Sequence, residues 1–410
     1  MLTKTESKST TYITEELVKA LMLSNNVSFK TGFLAEEPLR YLPKDKDPKR
    51  QEQFLILDKL AYSLEKLIQE KRIAESIKEL KVPEYSFDDL SREVLFRQML
   101  IYAMFTHAYF RETLPYKNVN ELMQDTSKKL LPAQLAVPLW KLSRITGVAP
   151  SMSYGLYSLW NYAKKDPLKE LSLDNIEMFH TFSGTLDEKW FVWIHQIVEY
   201  TFAPAIPELA KAAMLSSNSD LDTSEVTSEI ISSLDKASEI MHQVLKVLEQ
   251  MRENCNYKDY FDKVRIFYSI PRNIIFEGVE ELKGEGQEIY GETGGQTPYM
   301  HFLLSTLGIK HEEDTYFPNM QKHMTHEFRN FILKFKDSNL YEYVSKNKKN
   351  RRLTRRYNML VQTVLDWRAE HMTLVDDYIK EFGEVHGTGK PPLTWLRRLF
   401  DKTKEYLIEF

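Results

Sequence analysis

At 410 residues with 42% hydrophobic side chains, the chain is long for one domain and comfortable for two, and it can bury a large core. Only 14 Gly and 16 Pro punctuate it, which argues against a turn-rich all-β fold, and a net charge of -4 gives no basis for a nucleic-acid partner. The single cysteine, Cys255, excludes an intrachain disulfide and any thiolate metal cluster built from this chain alone.

The opening MLTKTESKSTTY lacks the apolar core of a secretory signal. The longest apolar run, Met99 to Phe110, is interrupted by Thr106 and His107 and falls short of the roughly 20 residues a membrane span needs. The expectation is a soluble cytoplasmic protein with no membrane partner. In chain order, Phe54, Leu55, Leu57, Leu60, Leu64, Leu67 and Ile68 keep helical spacing, predicting one amphipathic helix or two over Gln51 to Lys81. A second helix is predicted from Phe87 to about Glu112. In LPAQLAVPLWKLSRITGVAPSMSY, Pro132, Pro138 and Pro150 predict short helical turns and extended pieces.

The aromatic stretch Asp187 to Ala212 has local β propensity, but its length without a hairpin turn predicts a buried helix. Ser216 to Ser224 reads as a loop, with Asp222 and Glu225 resembling a capping box. The following stripe of Val226, Ile230, Leu234, Ala237, Met241, Val244, Leu248 and Met251 is the clearest amphipathic pattern in the chain. Helices recur to the C-terminus around one glycine-rich segment, Gly284 to Gln296. The class is all-α.

Five features are weighed as sites. In YGETGGQTP, Tyr290 to Pro298, Gln296 stands where a phosphate loop needs lysine, so nucleotide is poorly supported. Its glycines permit close backbone approach to a ligand, or form an ordinary loop. His323 and His326 are spaced for one helix face but lack a zinc motif, and solvent-exposed histidines are the better expectation. The basic run Lys346 to Arg356 reads as a solvated loop. Arg265 lies among Tyr260, Phe261, Val264, Ile266 and Phe267, and such a guanidinium has either a structural acid or a ligand carboxylate as partner. His371 falls on the apolar face defined by Tyr357, Leu360, Val361, Val364, Leu365, Val375, Tyr378, Ile379 and Phe382. A core-facing histidine is a satisfied hydrogen bonder, a buried titrating group or an axial metal ligand.

Four blocks in this order resemble the indoleamine 2,3-dioxygenase family of haem dioxygenases. They are LAVPLWKLSRITGVAP with YGLYSLWNYAKKDP, FHTFSGTLDEKWFVWIHQIVE, YFDKVRIFYS with GETGGQTP, and WRAEHMTLVDDYI with GTG, spanning about Leu131 to Gly389. The resemblance implies a two-domain helical protein. A smaller N-terminal helical domain, 1–175, would cap a large haem-binding catalytic domain, 176–410. It further implies a cytoplasmic monomer or weak oligomer that binds haem b, uses O2 as co-substrate and takes a small indole.

Residue by residue, the resemblance makes His371 the proximal ligand of the haem iron and Arg265 the partner of the substrate carboxylate, with Phe261 beside it. Tyr260 stands where the best-known members have phenylalanine. Phe191 would pack on the indole ring, and Tyr154 would line the pocket from the small domain. Thr293 and Gly294 would lie at the haem edge, and Thr388, between Gly387 and Gly389, in the loop that closes on the substrate. His195 falls where the best-known members have serine. It would act over the distal haem face, or merely pack. The implied reaction adds both atoms of O2 across the indole C2–C3 bond of L-tryptophan to give N-formylkynurenine. A relative acting on a modified tryptophan in secondary metabolism is the alternative. A non-catalytic helical binding protein is disfavoured because it would need neither His371 nor Arg265.

Overall fold

The computed structural model describes residues 4–217, 223–311, 316–378 and 392–409. It is built of helices, with one short parallel pair of strands, Lys129–Leu131 beside Ile274–Phe276 in the register Lys129 to Ile274. The all-α reading holds. One continuous apolar core runs from Val18 to Ile408.

The first predicted helical stretch is two helices, Pro48–Gln69 and Ile73–Lys78. Asp47 starts the first, its carboxylate accepting from the N–H groups of Lys49 and Arg50, with Pro48 in the first turn where its missing N–H is harmless. Lys71, at φ +53°, ends it. The helix Arg92–Thr113 begins at the Ser91 cap and is buried on almost every side from Val94 to Ala108.

The proline-rich segment corrects the expectation of short pieces. Ala133–Thr146 is one helix with Pro138 inside it. Pro138 lies early enough that only one hydrogen bond, to the Gln134 carbonyl near the helix start, is forgone, while its ring is buried in the core. Gly147 ends this helix at φ +72°, and a Cβ there would lie 2.2 Å from the His326 ring.

The aromatic stretch is likewise corrected from one helix to two. Leu186–Phe202 starts at Thr185, whose hydroxyl accepts from the Glu188 N–H, and Ala205–Ser216 follows after the chain breaks at Ala203 and Pro204. The next helix, Ser224–Glu249, carries the predicted apolar stripe down to Leu248, while Met251 opens a separate short turn, Met251–Asn254. Its cap is Thr223, accepting from the Val226 N–H; Asp222 lies outside the described residues.

Ser224–Glu249 packs along Arg351–Tyr378, and this pair, with Ala205–Ser216 and Pro392–Lys404 laid against it, forms the C-terminal bundle. The basic run is not a loop throughout. From Arg351 it is the start of that long helix, where Asn350 accepts from the Leu353 N–H and Arg356 pairs with Asp235 at 2.7 Å. His323 is not exposed either: it is buried, and it precedes the helix His326–Leu333 rather than sharing a face with His326. The mismatch arises because its short segment is pressed between the Ala149 backbone and the Tyr290 ring, contacts made by distant parts of the chain.

Candidate active site

One face of the long helix carries Trp367, Arg368, His371, Leu374, Val375 and Tyr378, positions separated by three or four residues. They form one wall of a cleft of about 160 Å³ that opens to solvent. The opposite wall comes from Leu186–Phe202, where Phe191 and His195 sit one turn apart. The two histidines face the same space, and His195 disfavours charge on His371.

Burial keeps both imidazoles neutral, with His371 pushed down to about 4. His195 Nδ1 donates to the Phe191 carbonyl at 2.7 Å. That tautomer leaves Nε2 as an acceptor. The His371 ring is stacked on Trp367 with centroids 5.0 Å apart, and its Nδ1 is buried with no hydrogen-bond partner. A neutral nitrogen base held by packing is in the form that ligates a metal.

Residues Tyr260–Arg265 form a turn of π-helix, and this decides which aromatic accompanies the arginine. In an α-helix Phe261 and Arg265 would share a face. The wider turn brings round the residue five positions back, so Tyr260 lines the cleft with Arg265, while half-buried Phe261 is not among the lining side chains. Tyr260 stacks on Phe191 at 4.4 Å, and Tyr268 flanks Phe191 at 6.0 Å. An apolar aromatic wall therefore runs from His195 to Arg265.

The glycine-rich segment closes the cleft with Glu292, Thr293, Gly294 and Gly295. A Cβ built on Gly294 would meet nothing within 4 Å, so open room lies beside it. Gln296, passed over as a failed phosphate-loop position, is a clamp: its Nε2 donates to the Gly291 carbonyl and its Oε1 accepts from the Tyr154 N–H, both at 2.8 Å. Tyr154 itself is fully buried behind His195 rather than lining the cleft, its hydroxyl 3.5 Å from the His195 carbonyl. Gly387 and Thr388 lie outside the described residues.

Sequence reasoning missed two charged groups here. Arg368 is buried, and its Nε has no hydrogen-bond partner. Desolvation lowers its pKa to about 10, and among the described residues no carboxylate lies within ion-pair distance of it. Its spacing of three from His371 was the available signal. Glu292 is raised to about 8 by desolvation, which the nearby Arg265 partly offsets. No sequence signal pointed to it beyond its place in the glycine loop.

An all-helical protein whose apolar cleft holds two neutral imidazoles and a buried guanidinium is suited to hold a flat or aromatic small molecule together with a nitrogen-ligated group. The comparisons narrow this class. Residues 23–384 match the family model for indoleamine 2,3-dioxygenase. The chain is 27% identical to indoleamine 2,3-dioxygenase 1 of Mus musculus, over 96% of this chain and 97% of that protein. It is 26% identical to the indoleamine 2,3-dioxygenase of Saccharomyces cerevisiae, over 65% of this chain and 63% of that one. It is also 23% identical to a 6-hydroxytryptophan 2,3-dioxygenase of Fusarium equiseti, over 61% and 62%. The chain belongs to the indoleamine 2,3-dioxygenase family, and it is an enzyme of the haem dioxygenase type with a role in indole oxidation.

Proposed function

We propose that this enzyme binds haem b through His371 and adds both atoms of O2 across the indole C2–C3 bond of L-tryptophan, giving N-formylkynurenine. The observation that carries the reading is one cleft joining His371, His195 and Arg265 along an aromatic wall. The residues present fit haem. His371 offers a neutral imidazole, the Arg368 guanidinium suits an anionic propionate, and Gly294 leaves space for a flat edge. When bound, the haem iron supplies the O2 chemistry.

The chain's own groups bind and orient the substrate. Arg265 pairs with the substrate carboxylate, a geometry for which guanidinium is well shaped. Phe191 and Tyr260 flank the indole ring. His195, with Nε2 free to accept, takes the indole N–H. Residues 1–175 form a cap whose Tyr154 backs His195. The lone buried cysteine and the absence, among the described residues, of any helix long and apolar enough to cross a membrane accord with a cytoplasmic enzyme.

The test is to load the protein with haem, reduce it, supply O2 and L-tryptophan, and identify the product by mass. A product carrying both oxygen atoms is expected; no turnover of tryptophan overturns the reading. A second reading, oxidation of a ring-modified tryptophan, is favoured by the Fusarium relative's name and by the Tyr260 hydroxyl against the ring site. Faster turnover of a hydroxytryptophan than of tryptophan would establish it.

A further inference from the structure

Arg265 accounts for one charge of an amino-acid substrate, and the cleft carries a group for the other. Among the described residues that line it, Glu292 is the one carboxylate. Its position is set by main chain rather than by a flexible loop. The Glu292 N–H donates to the Tyr268 carbonyl at 3.0 Å, three residues beyond Arg265. Gly291 lies so close to that same backbone that a Cβ on it would sit 1.9 Å from the Tyr268 oxygen. Gln296 ties the Gly291 carbonyl from the other side. The glutamate is thus laid beside the turn that presents the arginine, and the two side chains sense each other electrostatically.

We propose that Glu292 determines specificity by receiving the substrate α-ammonium, so that Arg265 and Glu292 together recognise an amino-acid zwitterion. This deepens the tryptophan reading and rests on it. The chemistry requires the two groups to be neighbours, because an α-amino acid carries ammonium and carboxylate on one carbon. A carboxylate held on Arg265 brings the ammonium within a few ångströms of it. A desolvated acid gains from an incoming cation, and a charge-assisted hydrogen bond is among the stronger polar contacts. The rival role for Glu292 is to be only a structural partner that holds the Arg265 side chain.

The two roles separate on ligands that differ in the ammonium alone. The haem-loaded protein, without O2, is titrated with L-tryptophan and with indole-3-propionate, which keeps the carboxylate and lacks the amine. Wild type should prefer tryptophan by about tenfold or more. Glu292→Gln should erase most of that preference while indole-3-propionate binds as well as before or better. Glu292→Asp, which keeps the charge, should retain part of the preference, and haem absorption should be unchanged in both variants. An equal loss for both ligands in Glu292→Gln, or a wild type with no preference, overturns the assignment. If wild type binds neither ligand, the tryptophan reading itself fails and takes this one with it.

Discussion

The two histidines across the cleft have the same ionisation and different duties, and variants should separate them. His371→Ala should lose most of its haem or show a spectrum without histidine ligation. Full haem content with an unchanged histidine-type ferrous spectrum would rule His371 out as the ligand. His195 is different, because its Nδ1 is already committed to the Phe191 carbonyl and only Nε2 is left to act. A buried hydrogen bond to the indole N–H is worth roughly 1–3 kcal/mol, about 5- to 150-fold in kcat/KM. His195→Ala should slow tryptophan oxidation within that range at full haem loading. Wild type should also discriminate against 1-methyltryptophan, and the variant should discriminate less. If neither turnover nor preference changes, His195 is packing.

At the scale of elements, the site depends on where regular helices stop. Tyr260 reaches the cleft with Arg265 because that turn is wider than an α-helical one, and Phe191 and His195 are aimed together because theirs is not. Helix ends matter similarly. Gly147 stops Ala133–Thr146 in the left-handed region, against the His326 ring. An alanine there must adopt φ near +72°, which costs about 1–2 kcal/mol, and its Cβ would collide with the His326 ring, which must move aside. Gly147→Ala should lower stability by at least that amount in chemical denaturation. An unchanged midpoint would mean that the helix end relaxes without strain.

For the whole molecule, the continuous core carries ionisable groups that it holds neutral. His107 is pushed down to about 4 and His323 to about 3, each chiefly by burial. Their folded values lie below the unfolded value of 6.5, so as pH falls below about 6.5 the unfolded chain takes up protons that the native state refuses. Stability is therefore lost on acidification between about 6.5 and 4, by about 1 kcal/mol per pH unit for each histidine. Buried Glu199, held protonated, acts with the opposite sign, so the total slope alone is ambiguous. His323→Leu isolates one contribution. Its stability should fall less steeply than that of wild type between pH 6.5 and 5, and equal slopes would show that His323 is not held neutral.

The helical class, the stripe from Val226 to Leu248 and the inward face of the His371 helix were legible in the sequence, because helical periodicity is a local property that the core merely reads out. Similarity of ordered blocks also pointed to Arg265, Phe191 and His195, which the fold gathers into one cleft. What local pattern left open was which surfaces meet. Pro138 looked like a helix breaker until the core accepted its ring. His323 looked polar enough for solvent until Tyr290 and the Ala149 backbone enclosed it. Phe261 left the cleft lining while Tyr260 stayed in it because a π turn spends one more residue per turn, a choice visible only in the hydrogen bonds. Glu292 gained its meaning only when the Gly291 backbone was laid on Tyr268, beside an arginine distant in sequence. The environment of a buried charge is set by long-range packing, and no local pattern of residues encodes it.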